Sequence, residues 1–243
     1  MGIEIKSTGS CLPERIVTND DLSTFLDTSD EWITTRTGIK TRHISVGETT
    51  SDMASRAAEV ALERSGLSAQ QIDLVICATV TPDVCVPMVA SNVKKALGVE
   101  HAAAFDLNAN CSSFIYAVTT ACSLMESAGY RNAVVVGSDT NSQIVDWSDR
   151  ATCVLFGDGA GAVVLSRSER KGILSSFLGG AIDRDNVLLC RNSRDRTPFD
   201  LTHEEQKPKV EMSGQGVMRF AINAFVEAVG EVTAKAQKNS RRH

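Results

Sequence analysis

Residues 102–127 read AAAFDLNANCSSFIYAVTTACSLMES. Ala102 to Leu107 is a short apolar run of strand length. From about Cys111 to Ser127 the residues Phe114, Ala117, Val118, Ala121, Leu124 and Met125 recur at helical spacing, and Gly129 supplies the stop. A buried strand that runs directly into a helix, with Cys111 at the helix's amino-terminal end, is the building unit of an α/β protein.

The same alternation extends to both sides. Upstream, Ile72 to Val80 (IDLVICATV) is a continuous β-branched run that reads as a buried strand. It is preceded by a helix over Asp52 to Ser65, with Met53, Ala57, Val60, Ala61 and Leu62 on one face, Thr50 and Ser51 as capping residues and Gly66 at the end. It is followed by a helix over Val89 to Leu97, with Pro87 near its start and Gly98 after it. Downstream, Ala133 to Gly137 (AVVVG) is the next strand. Thr152 to Phe156 and Gly161 to Leu165 flank Gly157-Asp158-Gly159-Ala160 as the arms of a hairpin would. A phosphate-binding loop is the competing reading of those glycines, but their spacing is wrong for one. The expected order is β-α-β-α-β-α-β-β.

After Ser168 the pattern weakens. Arg184 to Lys207 is polar and predicts a surface loop, and Ser213 to about Lys235 predicts a last helix with Val217, Phe220, Ala221, Ala224, Phe225 and Ala228 on one face. That face needs a covering layer, and no strand follows it. The sequence therefore reads as an interrupted chain, ending on an uncovered helix.

The chain has 243 residues and a formal net charge of -5, with no basic face of the kind that neutralises phosphates, which argues against nucleic-acid binding. No apolar run approaches the roughly 20 residues that span a bilayer. The start, Met-Gly-Ile-Glu-Ile-Lys, lacks the apolar core of a signal peptide, so a cytoplasmic protein is expected. The seven cysteines (Cys11, Cys77, Cys85, Cys111, Cys122, Cys153, Cys190) are odd in number and hold no C-x-x-C pair, which predicts free thiols and no metal site. Most free thiols are packing residues. Cys111 differs by position, because unpaired N–H groups and the dipole at a helix amino terminus favour the thiolate, the form that attacks a thioester.

Asp106-Leu107-Asn108-Ala109-Asn110-Cys111-Ser112-Ser113-Phe114 resembles the nucleophile segment of β-ketoacyl-acyl carrier protein synthase III, within the thiolase-like condensing enzymes. Three other segments resemble that family in the same order: Thr28-Ser29-Asp30-Glu31-Trp32-Ile33 with Arg36-Thr37-Gly38-Ile39, then Asp146-Trp147-Ser148-Asp149-Arg150-Ala151-Thr152 through Phe156-Gly157-Asp158-Gly159-Ala160-Gly161-Ala162, then Met212-Ser213-Gly214. The resemblance implies a thiolase-like fold of two related βαβαβαββ halves. Residues 1–167 would be the complete first half with the nucleophile, and 168–243 the start of an incomplete second half. It also implies a homodimer and Claisen chemistry in two steps: transfer of an acyl group from acyl-CoA to Cys111, then condensation with malonyl-acyl carrier protein. No cofactor or metal is implied beyond the coenzyme A thioester, which is a substrate.

Carried over position by position, Trp32, Arg36 and Arg150 resemble the coenzyme A clamp, with Thr28 beside them. The indole would stack on adenine and the guanidiniums face phosphates. Without the resemblance, Trp32 would read as a core aromatic and the arginines as solvated surface charges. Val86, Leu155 and Met218 match positions of the primer pocket, and Arg219 matches a basic position that would dock acidic carrier protein, although a helix-surface arginine is an equal reading.

Several positions depart from the family pattern. Ser113 stands where glycine is common, so the turn at the nucleophile is expected to be altered. Val86 replaces a phenylalanine that reaches into the neighbouring protomer's pocket, which predicts acceptance of longer or branched primers, and Met218 replaces a common aromatic. The family's Cys-His-Asn triad draws its histidine from a Pro-His-Gln-Ala-Asn segment and its asparagine from a Gly-Asn segment. Neither occurs here, and His43, His101, His203 and His243 lie in other contexts. Those two side chains stabilise charge developing on a thioester carbonyl, and loss of one such donor costs roughly 10²–10³ in rate. The expectation is weak condensation with acylation surviving in part. The alternative is a catalytically incomplete acyl-binding subunit, or one completed by a partner.

Overall fold

The computed structural model describes residues 2–170, 172–193, 198–199 and 207–240. Its core is a five-stranded sheet in the spatial order β1-β7-β6-β4-β5, made of β1 (Gly2–Cys11), β4 (Leu74–Ala78), β5 (Ala103–Leu107), β6 (Asn132–Thr140) and β7 (Asp158–Ser168). β4 lies parallel to β5 and β6, whereas β7 is antiparallel to both β6 and β1. The connections are α3 (Thr50–Ser65), α4 (Val89–Ala96) and α5 (Ser113–Ser127). A smaller layer holds β2 (Ile16–Thr18), α1 (Asn19–Ser23), α2 (Asp30–Thr37) and β3 (Thr41–His43). After β7 come β8 (Leu188–Cys190), paired with β9 (Val210–Met212), and α6 (Gly214–Ser240).

The sheet is covered on both faces, and alternation along its central strands assigns each side chain to one of two cores. Val75 and Cys77 of β4, Val134 and Val136 of β6, and Ala162 and Val164 of β7 pack against α3 and α4. Leu74, Ile76, Ala133, Val135, Val163 and Leu165 pack on the other side with Ala117, Ala121 and Met125 of α5. α3 approaches closely because its contact face is Ala54, Ala57, Ala58 and Ala61, all fully buried. Gly9 of β1 matches it: a Cβ there would stand 2.2 Å from the carbonyl oxygen of Ala57. A third cluster, with Leu22, Leu26, Ile33, Val145, Cys153 and Val154, fastens the smaller layer to the segment before β7.

The β-α-β-α-β-α-β-β order holds, with three corrections to its members. The first strand is Gly2–Cys11, an edge strand whose burial is too irregular to stand out as a pattern. The expected hairpin around Gly157–Ala160 does not form: Cys153–Leu155 is a single 3₁₀ turn and β7 runs unbroken from Asp158 to Ser168. Gly157 and Gly159 serve close packing rather than a turn, since a Cβ would meet the His43 carbonyl at 3.1 Å from the first and Leu12 at 2.9 Å from the second. The Asp158 carboxylate accepts N–H groups from Ser45 (2.7 Å) and Ser142 (2.8 Å), tying the strand's start to two loops. The third correction concerns α3, which is capped by Thr49 in a reciprocal box with Asp52. The expected caps Thr50 and Ser51 are buried inside the helix, where the Thr50 hydroxyl bonds the Thr81 carbonyl at 2.6 Å.

The polar stretch 184–207 is not wholly a loop, because Leu188–Cys190 pairs with β9; residues 194–197 and 200–206, with His203, lie outside the described residues. The last helix extends to Ser240, five residues past Lys235, and residues 241–243, with His243, lie outside the described residues. No helix among the described residues is long and apolar enough to cross a membrane.

Candidate active site

β5 ends at Leu107, and three residues later the chain enters a 3₁₀ turn, Asn110–Ser112, that leads straight into α5. Cys111 is the middle residue of that turn and is exposed. Asn110 adopts a φ of 53°, in the left-handed region that asparagine tolerates better than most residues. Its N–H is taken by the Asn108 side-chain oxygen at 2.9 Å. At Ser113, where glycine is common in the family, the hydroxyl accepts the Ala109 N–H at 2.7 Å and donates to the Asn110 carbonyl at 2.6 Å. Glycine could make neither bond.

The other thiols divide by environment. Cys77 and Cys153 are buried, and burial pushes both thiols up, Cys77 the further. Burial, with Glu126 nearby, pushes Cys122 up to about 11, and Cys190 is also raised by partial burial. Cys77, Cys122 and Cys153 are thereby suited to packing rather than nucleophilic attack. Cys85, Cys111 and Cys190 stand exposed, and of the three only Cys111 sits at the start of a long helix that follows a sheet strand.

Trp32, Arg36 and Arg150 converge. The guanidinium carbons lie 4.6 Å (Arg36) and 5.1 Å (Arg150) from the Trp32 ring centroid. One turn of α2 puts Arg36 beside Trp32, where it also donates to the Trp32 carbonyl at 3.2 Å. Arg150 arrives from more than a hundred residues away and is steered by Asp27, donating to that residue's carbonyl and, at 3.2 Å, to its carboxylate. The carboxylate is fully exposed, so the pair orients Arg150 more than it stabilises the fold. Asp27 has no motif signal; its position next to Thr28 was the available hint. The Thr28 hydroxyl is buried and without a hydrogen-bond partner among the described residues. Two guanidiniums gathered on one indole make a flat, positively charged surface suited to an aromatic ring carrying phosphates.

The loop bearing Arg150 is pinned from the far end of the chain. Lys209 donates to the Asp146 carboxylate at 2.7 Å, and the Val210 N–H bonds the Ile144 carbonyl at 2.8 Å. The Lys209 ammonium, with the Ser148 hydroxyl and N–H, holds the Asp146 carboxyl well below the usual carboxylate range.

The remaining candidates are exposed. Val86 (84% exposed) lies between β4 and α4, Leu155 (38%) in the turn before β7, and Met218 (61%) in α6 with Arg219 beside it on the surface. His43 is occupied structurally, its Nδ1 lying 2.6 Å from the Pro13 carbonyl, and His101 is exposed before β5.

Residues 105–181 match the family model of 3-oxoacyl-(acyl-carrier-protein) synthase III. The chain is 46% identical over 230 residues to the β-ketoacyl-(acyl-carrier-protein) synthase III of Clostridium beijerinckii, covering 95% of this chain and 71% of that protein. Among solved structures, the 3-oxoacyl-(acyl-carrier-protein) synthase III of Aquifex aeolicus superposes with a TM-score of 0.87 at 41% identity, covering 97% of this chain and 72% of that one. The Thermus thermophilus β-ketoacyl-(acyl-carrier-protein) synthase III gives 0.87 at 39%, covering 96% and 72%. Identity at this level along almost the whole chain, joined to a shared thiolase-like α/β fold, means that the chain belongs to the 3-oxoacyl-(acyl-carrier-protein) synthase III family.

Proposed function

We infer that this chain is an acyltransferase of the condensing type, with Cys111 accepting an acyl group from acyl-CoA and malonyl-acyl carrier protein as the second substrate. The observation that carries this reading is the convergence of Arg36 and Arg150 on Trp32, 4.6 and 5.1 Å from the ring, with Arg150 arriving from a position remote in sequence. In the first step the Cys111 thiolate attacks the acyl carbonyl, the carbonyl–sulfur bond to coenzyme A breaks, and the departing thiolate takes up a proton. In the second, malonyl-acyl carrier protein loses carbon dioxide, and the resulting carbanion attacks the acyl-Cys111 carbonyl. Cys111 is expelled as thiolate and a 3-oxoacyl-acyl carrier protein remains, the opening condensation of fatty-acid or related polyketide synthesis.

The described residues support the first step most directly, since Cys111, Thr28, Trp32, Arg36 and Arg150 all fall within residues 1–167. Residues 1–167 form the nucleophile half in this reading, with 168–243 opening the second. Val86, Leu155 and Met218 line the primer pocket, and Arg219 docks the carrier protein. The site takes no metal or redox cofactor, and the enzyme is cytoplasmic. β5, with no neighbour on its outer edge among the described residues, supports a homodimer. A second reading, an acyl-accepting subunit completed by another polypeptide, is favoured by one observation: α6 holds Phe225 and Val226 72% exposed.

Intact mass after incubation with acetyl-CoA tests the first step. The expected result is one acetyl adduct on Cys111, absent in Cys111→Ala. In Arg150→Ala the same occupancy should require about tenfold more acetyl-CoA, the scale of one charge-assisted contact. An unmodified wild-type chain would overturn the reading.

A further inference from the structure

The turn that carries Cys111 is closed by Ser113, a side chain with no part in the acyl-transfer chemistry itself. Ser113 is 5% exposed, and its hydroxyl is used in both directions, accepting from the Ala109 N–H at 2.7 Å and donating to the Asn110 carbonyl at 2.6 Å. The Ser113 N–H reaches the same carbonyl. One side chain at the first position of α5 therefore holds the peptide joining Asn110 to Cys111 and the residue before it. That peptide needs holding. Asn110 sits at a φ of 53°, a conformation that costs a non-glycine residue on the order of 1 kcal/mol and persists only where surrounding bonds determine it. Relaxation of this one dihedral would swing the Cys111 Cβ away from the start of α5. A displaced sulfur would meet an incoming electrophile from a different position.

We propose that Ser113 is a positioning residue for Cys111: its hydroxyl clamps the left-handed Asn110 hinge and so sets where the sulfur stands relative to the first N–H groups of α5. The consequence for turnover rests on Cys111 being the acyl acceptor; the clamp does not. Ser113 supplies by side-chain bonding a rigidity that a glycine at this position would have to obtain from elsewhere.

The test is the rate at which iodoacetamide alkylates Cys111 at fixed pH, read by peptide mass spectrometry on the full chain, with exposed Cys85 in the same molecules as reference. Ser113→Ala is expected to slow Cys111 labelling about three- to tenfold, the scale of one lost hydrogen bond, with Cys85 labelling unchanged. Ser113→Thr, which keeps the hydroxyl, is expected to restore it. A Cys111 rate in Ser113→Ala that tracks Cys85 overturns the proposal, as does a threonine variant no better than alanine. Should the alanine variant fail to fold, amide exchange at Ala109 in the wild-type chain decides: protection supports the clamp and free exchange overturns it. Acetyl-CoA adduct formation is measured on the wild-type chain in parallel. Its absence alone would remove the acyl-transfer reading and leave the labelling comparison standing.

Discussion

α3 and α6 are both amphipathic, yet they end in opposite states. α3, with 16 residues, buries Met53, Ala54, Ala57, Ala58 and Ala61 completely against β1, β6 and β7. α6, with 27 residues, has no fully buried side chain among those described. Its contacts run along one line of half-buried residues, Val217, Ala221, Ala224, Ala228 and Val232. The Ser175 hydroxyl donates to the Val232 carbonyl at 2.8 Å, and the Lys235 ammonium lies 5.0 Å from the Phe177 ring centroid. Phe220 and Phe225, expected on the inward face, stand exposed with Met218, Ile222, Val226 and Val229. A helical apolar stripe states a demand for cover; only a layer at the right distance meets it.

The contrast can be broken by mutation. Met53→Ala should give the largest loss, about 2–5 kcal/mol in urea denaturation, because it leaves a cavity between close-packed alanines. A loss below 1 kcal/mol would mean that the α3 layer is looser than its burial implies. Thr49→Ala should cost about 1 kcal/mol by removing the α3 capping box, and Asp52→Asn less than that.

Acid should act on the same cap. The Thr49 N–H and hydroxyl hold the Asp52 carboxyl below its ordinary value, as those of Thr18 do for Asp21 in α1. A depressed folded-state value means the stabilisation is present above the ordinary titration range near 4 and disappears as pH falls through it and below. The melting temperature should therefore drop on acidification from about pH 5, and drop less in Asp52→Asn. The smallest effect belongs to α6: Phe225→Ala should change stability by no more than about 0.5 kcal/mol, since the ring is already in solvent. A change as large as that of Met53→Ala would erase the distinction between the two helices.

Much of the site was readable from residue order. Strand, turn and helix around Cys111 follow from an apolar run meeting a 3.6-residue pattern, and Trp32 with Arg36 follows from one helical turn. Arg150 is recognisable only by its resemblance to a motif, and its partner Asp27 has no motif of its own, because a pair 123 residues apart is created by packing. The misread hairpin has a similar cause. Glycines at 157, 159 and 161 look like a turn locally, whereas the neighbours of Gly157 and Gly159, His43 and Leu12, come from other elements and leave room for small residues only, and Gly161 lies in a straight strand with open space beside it.

By itself the sequence determined the α/β alternation, the placement of a cysteine at the start of a helix and the family, since each is written in local periodicity or in contiguous motifs. The tertiary structure alone decided which apolar faces are covered, that Arg150 stacks on Trp32, and that Ser113 ties down the turn before Cys111. Those outcomes depend on distances between segments, and a linear pattern specifies what a side chain can bond to without specifying what arrives within reach.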